Sequence, residues 1–229
     1  MTNRLLARLP RAEYERLQSS LELVRLPRHR ILCEAGDPAR HAYFLNNGMV
    51  SLLAVTEAGQ TVEIGTVGCE GFVGLPIVLK VGCSPFRVMV QTQSEALRVA
   101  AVPLLGEFDR CGKLHELLLR YGHVQHTQIV QATVCNPFHT VSQRLCRRLL
   151  VTKDCLGYES FDLTQEYIAL MLATHRNRIS IAAAELQRKG FIRYDRRGRI
   201  RILDRKGLEG GACECYRIVK ECLQNSFES

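Results

Sequence analysis

Arg176, Asn177, Ser180 and Ile181 stand close together at the head of a helical pattern. A guanidinium presents donors in a fixed fork, and a carboxamide presents a donor beside an acceptor. Arg can hold guanine O6 and N7 together, and Asn can hold adenine N6 and N7. The chemistry on offer is therefore recognition of base edges. Bond-making chemistry has no comparable grouping: the sequence has no P-loop, no GxSxG, no HExxH and no convincing carboxylate pair. An enzyme is not expected.

The stretch that must position these residues runs from Leu163 to Ile192 and reads as two short helices. Thr164 can cap the first by accepting a bond from the Tyr167 N–H. Leu163 and Ile168 fit a hydrophobic staple. Ala173-Thr174-His175 breaks the pattern, and Thr174 or His175 can cap the second helix. There Ile179, Ala182, Ala183 and Leu186 recur at i, i+3, i+4 and i+7, so one face is core. The other face offers Arg176, Asn177, Ser180, Ile181 and Ala184. Lys189-Gly190 closes the helix. A helix pair with one buried face and a slim Arg/Asn face suits the major groove. The bland alternative is a helical hairpin with a solvated polar face. Next, Phe191 to Tyr194 and Arg199 to Leu203 alternate like strands around a basic tip, Asp195-Arg196-Arg197-Gly198. From Arg176 to Lys206, eleven Lys or Arg face Glu185, Asp195 and Asp204, a local net of +8, equal to the formal charge of the whole chain. Positive charge focused in this way fits a phosphate-binding face.

LTQEYIALMLATHRNRISIAAAEL, followed by GFI and the basic hairpin, resembles the winged helix-turn-helix of the CRP/FNR family of bacterial transcription regulators. The resemblance implies that the second helix enters the major groove. Carried over by position, it puts Arg176, Asn177, Ser180 and Ile181 at the bases, and Thr164, Arg178, Arg196, Arg197 and Arg199 at phosphates. The family commonly has Glu at the Asn177 position and Arg at the Ile181 position, so the usual half-site is in doubt; Ile181 offers only apolar contact. The implied partners are double-stranded promoter DNA carrying a near-palindromic operator and a second copy of the chain, with RNA polymerase a further candidate.

Between about Leu23 and Val99, glycines punctuate short apolar runs, as in a sandwich or barrel. EAGDPARHAYFLNNGMVSLLAVTEAGQTVEIGTVG resembles the β-roll of the cyclic-nucleotide-binding fold. Family members that bind cyclic AMP carry a Glu for the ribose and an Arg for the cyclic phosphate. Here the Glu position, after Gly74, falls on Leu75, followed by Pro76. The Arg-Ser position falls near Pro85-Phe86, and Arg87 is two residues off. Glu70 is a candidate replacement carboxylate, but nothing replaces the cation. The pocket is read as degenerate, formed by Gly74, Leu75, Pro85, Phe86 and Arg87, and cyclic AMP is not expected to bind.

From Lys113 to Cys135 runs a long helical pattern with two stripes. Leu114, Leu117, Tyr121, Val124, Gln128 and Gln131 follow the 3-4 spacing of a coiled-coil seam; Leu118, Gly122, Gln125, Ile129 and Ala132 form the second. One stripe can pack on the chain's own roll and the other on a second copy; the resemblance favours a dimer, with the first stripe as its seam. Asn136-Pro137 is expected to end this helix. In the next, from Phe138 to Leu150, Val141, Leu145, Leu149 and Leu150 are read as inward and Arg144, Arg147 and Arg148 as outward. Lys206 to Gln224 reads as one terminal helix. The fold expected is α+β, with a β-roll sensor domain (1–112), a dimerisation helix (113–136) and a winged helix-turn-helix domain (137–229).

Hydrophobic residues make up 46% of the 229, enough for real cores, and no apolar run is long enough to span a membrane. The charged N-terminus does not read as a signal peptide. Ten scattered cysteines without a CxxC pair suggest reduced thiols in a bacterial cytoplasm. The cysteine group that holds an iron–sulfur cluster near the N-terminus of some relatives is absent. His123 and His126, with Cys111, His115 and Cys135 along the same element, could share a metal, but a helix offering two ligands still needs others from elsewhere, and solvated or interface histidines are the better reading. Cys213 and Cys215, on the terminal helix, are a poor metal pair, because residues two apart on a helix do not face each other. No metal and no cofactor are expected. Cys33, Cys69, Cys83 and Cys155 remain candidate reactive thiols. They support an alternative reading: a cytosolic thiol-redox or small-ligand sensor whose C-terminal domain binds protein rather than DNA.

Overall fold

The computed structural model describes residues 3–195 and 198–227. Helix α1 (Arg11–Gln18) leads into strands β1 (Glu22–Leu26), β2 (Ile31–Cys33), β3 (His41–Leu45), β4 (Val50–Val55), β5 (Thr61–Val67) and β6 (Phe72–Val73). Helix α2 (Leu75–Val78) interrupts them before β7 (Arg87–Val90) and β8 (Ser94–Ala100). The strands pair antiparallel into two four-stranded sheets, ordered β1-β8-β3-β6 and β2-β7-β4-β5. Side chains from both sheets meet in one core, where the Phe44 and Phe72 rings stack at 5.6 Å. Gly71 is required beside it: a Cβ there would lie 2.0 Å from the Tyr121 ring.

Helices α3 (Ala101–Phe108) and α4 (Lys113–Phe138) close the roll. α4 runs two residues past Asn136, with Pro137 inside its last turn, where a missing N–H removes only one helical bond. Leu114, Leu117, Tyr121 and Val124, expected at a seam with a second copy, lie instead in the core of the chain's own roll. Gln128 is also engaged there, its Oε1 accepting from the Thr66 N–H at 2.8 Å, and Gln131 is half-buried. The second stripe is covered too, at Leu118, Gln125 and Ala132. The face left in water carries Leu119, Val130 and Val134, with Phe138 at its end.

A capping box between Thr140 and Gln143 starts α5 (Val141–Leu156), and Gly157, left-handed at φ 77°, stops it. Then come β9 (Ser160–Asp162), α6 (Gln165–Met171), α7 (Arg176–Arg188), β10 (Ile192–Tyr194) and β11 (Arg199–Ile202), with a three-stranded sheet ordered β10-β11-β9. These elements share a second core, from Leu145 to Tyr216. The terminal segment is two helices, α8 (Arg205–Gly211) and α9 (Glu214–Asn225), not one. Ala212 and Cys213 are extended, so the chain turns after Gly210-Gly211 and α9 runs back along α4. Cys213 therefore lies outside the helix that holds Cys215. The geometric objection to their acting together falls away.

Arg144 and Arg148 are buried, contrary to the outward placement expected from the sequence. Arg144 donates to the carbonyls of Leu172, at the end of α6, and Asn136, near the end of α4, where a cation complements both helix termini. Arg148 pairs with Glu63 of β5; their side chains are only 2% and 10% exposed. Burial pushes the Glu63 carboxyl above its ordinary value, against the pull of Arg148 and of the Ser51 hydroxyl. Ser51 donates to Glu63 at 2.7 Å. This pair fastens α5 to the roll. Arg148→Ala should lower stability in chemical denaturation by about 3–5 kcal/mol at neutral pH, because it leaves a buried charge uncompensated. Without Arg148 the carboxyl takes up a proton at higher pH, so the loss should be largest above that pH and shrink as the pH falls through it. A loss independent of pH would mean that Glu63 is not the group left unpaired.

Candidate nucleic-acid interface

Local caps set the geometry of α6 and α7. Thr164 is extended at the N-cap of α6, and its hydroxyl accepts from the Tyr167 N–H at 3.3 Å. The hydroxyl proton remains free to donate outward. The turn uses Ala173 in the left-handed region, φ 43°, and the Thr174 N–H bonds to the Ala169 carbonyl at 2.9 Å. His175 is the N-cap of α7 but makes no side-chain cap bond, so this helix start is held by its packing. Ile179, Ala182, Ala183 and Leu186 are buried, as the spacing predicts.

The opposite face of α7 is open. Arg176, Asn177, Arg178 and Ala184 are exposed, and Ile181 is 71% exposed, a large apolar side chain left in water. Ser180 is partly covered and donates to Gln165 at the start of α6. Arg176 pairs with Glu166 at 2.8 Å, the two side chains 64% and 62% exposed. Such surface pairs are worth at most about 1 kcal/mol, so the guanidinium is available to a stronger acceptor.

The small sheet lies beside this face. Ile192, Ile200 and Ile202 point into the core, and Arg193, Arg199 and Arg201 point to water. Arg193 and Arg201 extend the cationic face beyond the residues singled out above; strict alternation with isoleucine is the signal that finds them. Arg199 donates from Nε to Ser160 at 3.1 Å. The Tyr194 hydroxyl donates to the Leu163 carbonyl at 2.6 Å, tying the sheet to the start of α6. Thr164, Gln165, Arg176, Tyr194 and Gly198 border an open groove of about 300 Å³ between α6, α7 and the hairpin. Arg196 and Arg197 of the tip lie outside the described residues.

A second cavity, of about 340 Å³, opens in the roll. Gly74, Leu75 and Phe86 line it as expected, with Pro76, Ser84 and Val88. Pro85 and Arg87 do not: Ser84 and Phe86 line the cavity from the bend before β7 and Val88 from β7 itself. Arg87 pairs with Glu34 at 2.7 Å. Glu70 is not in this cavity either; it lies elsewhere, accepting from the Gly68 N–H at 2.8 Å. The cavity's arginine, Arg40, is exposed at the rim. Inside, the Ser84 hydroxyl donates to the Phe86 carbonyl at 2.6 Å and the Gln125 amide to the Phe72 carbonyl at 3.2 Å.

Residues 23–110 match the cyclic nucleotide-binding domain, and residues 143–210 match the Crp-like helix-turn-helix domain. The chain belongs to the CRP/FNR family of DNA-binding transcription regulators. No curated protein matches it in sequence. Among solved structures it is similar to FixK2 from Bradyrhizobium japonicum, at 13% identity and a TM-score of 0.73, covering 84% of this chain and 98% of that one. It is similar to the c-di-GMP responsive global regulator CLP of Xanthomonas campestris, at 16% identity and a TM-score of 0.70, covering 85% and 100%. A CRP/FNR-family regulator from Thermus thermophilus aligns at 20% identity and a TM-score of 0.64, covering 83% and 98%.

Within this CRP/FNR fold the thiols differ in reactivity. Burial pushes Cys33, Cys69 and Cys155 above the ordinary thiol value and Cys146 up to about 11, which leaves them weak nucleophiles. Cys83 is exposed. Cys135 is the exception: its hydrogen bond with Cys213 holds it below the ordinary thiol value. Among the described residues, no helix is long and apolar enough to cross a membrane.

Proposed function

We propose that the protein acts as a homodimer on a near-palindromic operator, without cyclic AMP, through three working units at 1–112, 113–136 and 137–229. The observation that carries this reading is the outer face of α7, where Arg176, Asn177, Arg178 and Ile181 stand together in water over a fully buried inner face. Arg176 and Asn177 read base edges, Ser180 and Ile181 complete the contact, and a thymine methyl is the natural neighbour of Ile181. Thr164, Arg178 and Arg199, with Arg196 and Arg197 of the tip, hold phosphates and set the register. RNA polymerase is the further partner of such a regulator.

The second copy docks on the open face of α4. Leu119, His123, His126, Val130, Thr133 and Pro137 follow a 3-4 spacing, with Val134 and Phe138 alongside. This replaces the seam read from the sequence, whose apolar members are covered by the roll. Cyclic nucleotides do not fit the roll cavity, because a buried phosphate needs a placed cation, Arg40 stands exposed at the rim, and Ser84 and Gln125 are already bonded inside.

Three outcomes test the reading. Arg176→Ala should cost roughly 1–3 kcal/mol and relax preference at one base pair per half-site, whereas Arg178→Ala should weaken all sequences alike and lower the salt slope by about one. Selection from randomised DNA decides it; an unchanged preference for Arg176→Ala means that α7 is misplaced on DNA. Val130→Glu should give folded monomers in sedimentation, while Leu117→Glu should unfold the roll; a Val130→Glu dimer refutes the open-face seam. Calorimetry with millimolar cyclic AMP and cyclic GMP should detect no binding in the roll, and micromolar affinity for either contradicts the cavity argument.

A further inference from the structure

We propose that Cys135, His139, Cys213 and Cys215 hold one tetrahedral metal ion of the zinc class at the joint between α4 and the DNA-binding domain. Their four ligand atoms lie within 4.8 Å of one another. Cys135 Sγ is 3.5 Å from Cys213 Sγ, and Cys215 Sγ is 3.7 Å from His139 Nδ1. An ion with Zn–S near 2.3 Å and Zn–N near 2.0–2.1 Å spaces tetrahedral ligands roughly 3.5–3.8 Å apart. Two of the pairs already stand at that spacing, and the rest of the group, within 4.8 Å, closes on one ion by side-chain adjustments of about 1 Å or less. An iron–sulfur cluster puts several atoms between its ligands and requires a wider set.

Each ligand is placed by local structure. Cys135 and His139 are four apart at the end of α4 and share one face. Cys213 is the extended N-cap of α9 and Cys215 lies in its first turn, so both sulfurs turn toward the same point. The helix start also favours thiolate charge. His139 Nε2 lies 3.2 Å from Glu214 Oε1, which leaves Nδ1 facing the sulfurs. A carboxylate on the outer nitrogen is the usual way a ligating imidazole is oriented. The three sulfurs are buried, Cys135 and Cys215 fully, so the site is closed, as in structural rather than catalytic zinc sites. Binding releases the three thiol protons to solvent and leaves a site of net charge −1, beside Arg147, whose Nε is buried without a hydrogen-bond partner. A Cys135–Cys213 disulfide would leave Cys215 and His139 without a role. The sequence gives no sign of the site because Cys213 and Cys215 read as two apart within one helix, whereas Cys213 lies ahead of it.

The ion would close a loop of 78 residues that contains the whole helix-turn-helix and its wing. It would pin the start of α9, whose far end rests on α4 through Cys222 to Thr127 and the Ser226 carbonyl to Arg120. The metal therefore fixes how the DNA-binding elements sit on α4.

The test is metal analysis of the full chain purified under reducing conditions without chelator. One zinc per chain is expected, lost in Cys213→Ser and in His139→Ala but kept in Cys83→Ser. Zinc removal should raise amide exchange across 212–225 roughly tenfold or more. Cobalt added to the stripped wild type should give the intense visible bands of tetrahedral thiolate coordination, which decides the matter even if the variants fail to fold. No tetrahedral thiolate spectrum, an iron–sulfur chromophore, a Cys135–Cys213 disulfide in freshly prepared protein, or zinc retained by both ligand variants would each overturn the proposal.

Discussion

Helix α4 is apolar around most of its circumference, and each apolar face must be kept from water by something. The roll covers Leu114, Leu117, Leu118, Tyr121 and Val124. Helix α9 runs back over the side that includes Thr127 and Cys135. Leu119, Val130 and Val134 remain, 45%, 43% and 38% exposed. Burying what is left of each contributes about 1 kcal/mol, so three from each of two copies only reach the lower part of the roughly 4–15 kcal/mol cost of association. Phe138, 78% exposed, has the most area to add. The helix is thus a wall shared by the roll and the terminal helix, and its remaining face is the one proposed above for the second copy.

The same wall explains why the DNA-binding elements are attached at several points. Arg148 reaches Glu63 in the roll, Arg144 joins the ends of α4 and α6, and Cys135 and His139 face the start of α9. These contacts are polar or sulfur-based, so each is all-or-none in a way that apolar packing is not. Removing one partner exposes the other to an environment that cannot solvate it.

Much of this was legible in the chain because the signals are local. Thr164, the inner face of α7 and the Ile–Arg alternation of the hairpin follow from spacing alone, and each is found where the spacing puts it. The strands of the roll follow from alternation and glycine turns. The stripe on α4 was misassigned because both stripes are apolar, and spacing does not say which neighbour covers which. Arg144 and Arg148 were placed outward on the default for charged residues; their partners lie 28 and 85 residues away. Arg87 was set in the cavity by alignment, but strand alternation turns it toward Glu34. The terminal segment hides a break at Ala212-Cys213, and with it the convergence of Cys213 on Cys135, 78 residues earlier, and of Cys215 on His139, 76 residues earlier. In each case the deciding partner was distant in sequence.

In the proposed homodimer, two copies of α7 are presented together to one face of DNA. Hydroxyl-radical footprinting on a sequence selected from random DNA reads that arrangement directly. The account predicts two equivalent protected patches, related by a two-fold axis, with half-site centres about 10–10.5 base pairs or a multiple apart. A single asymmetric patch, or protection independent of sequence, would contradict it.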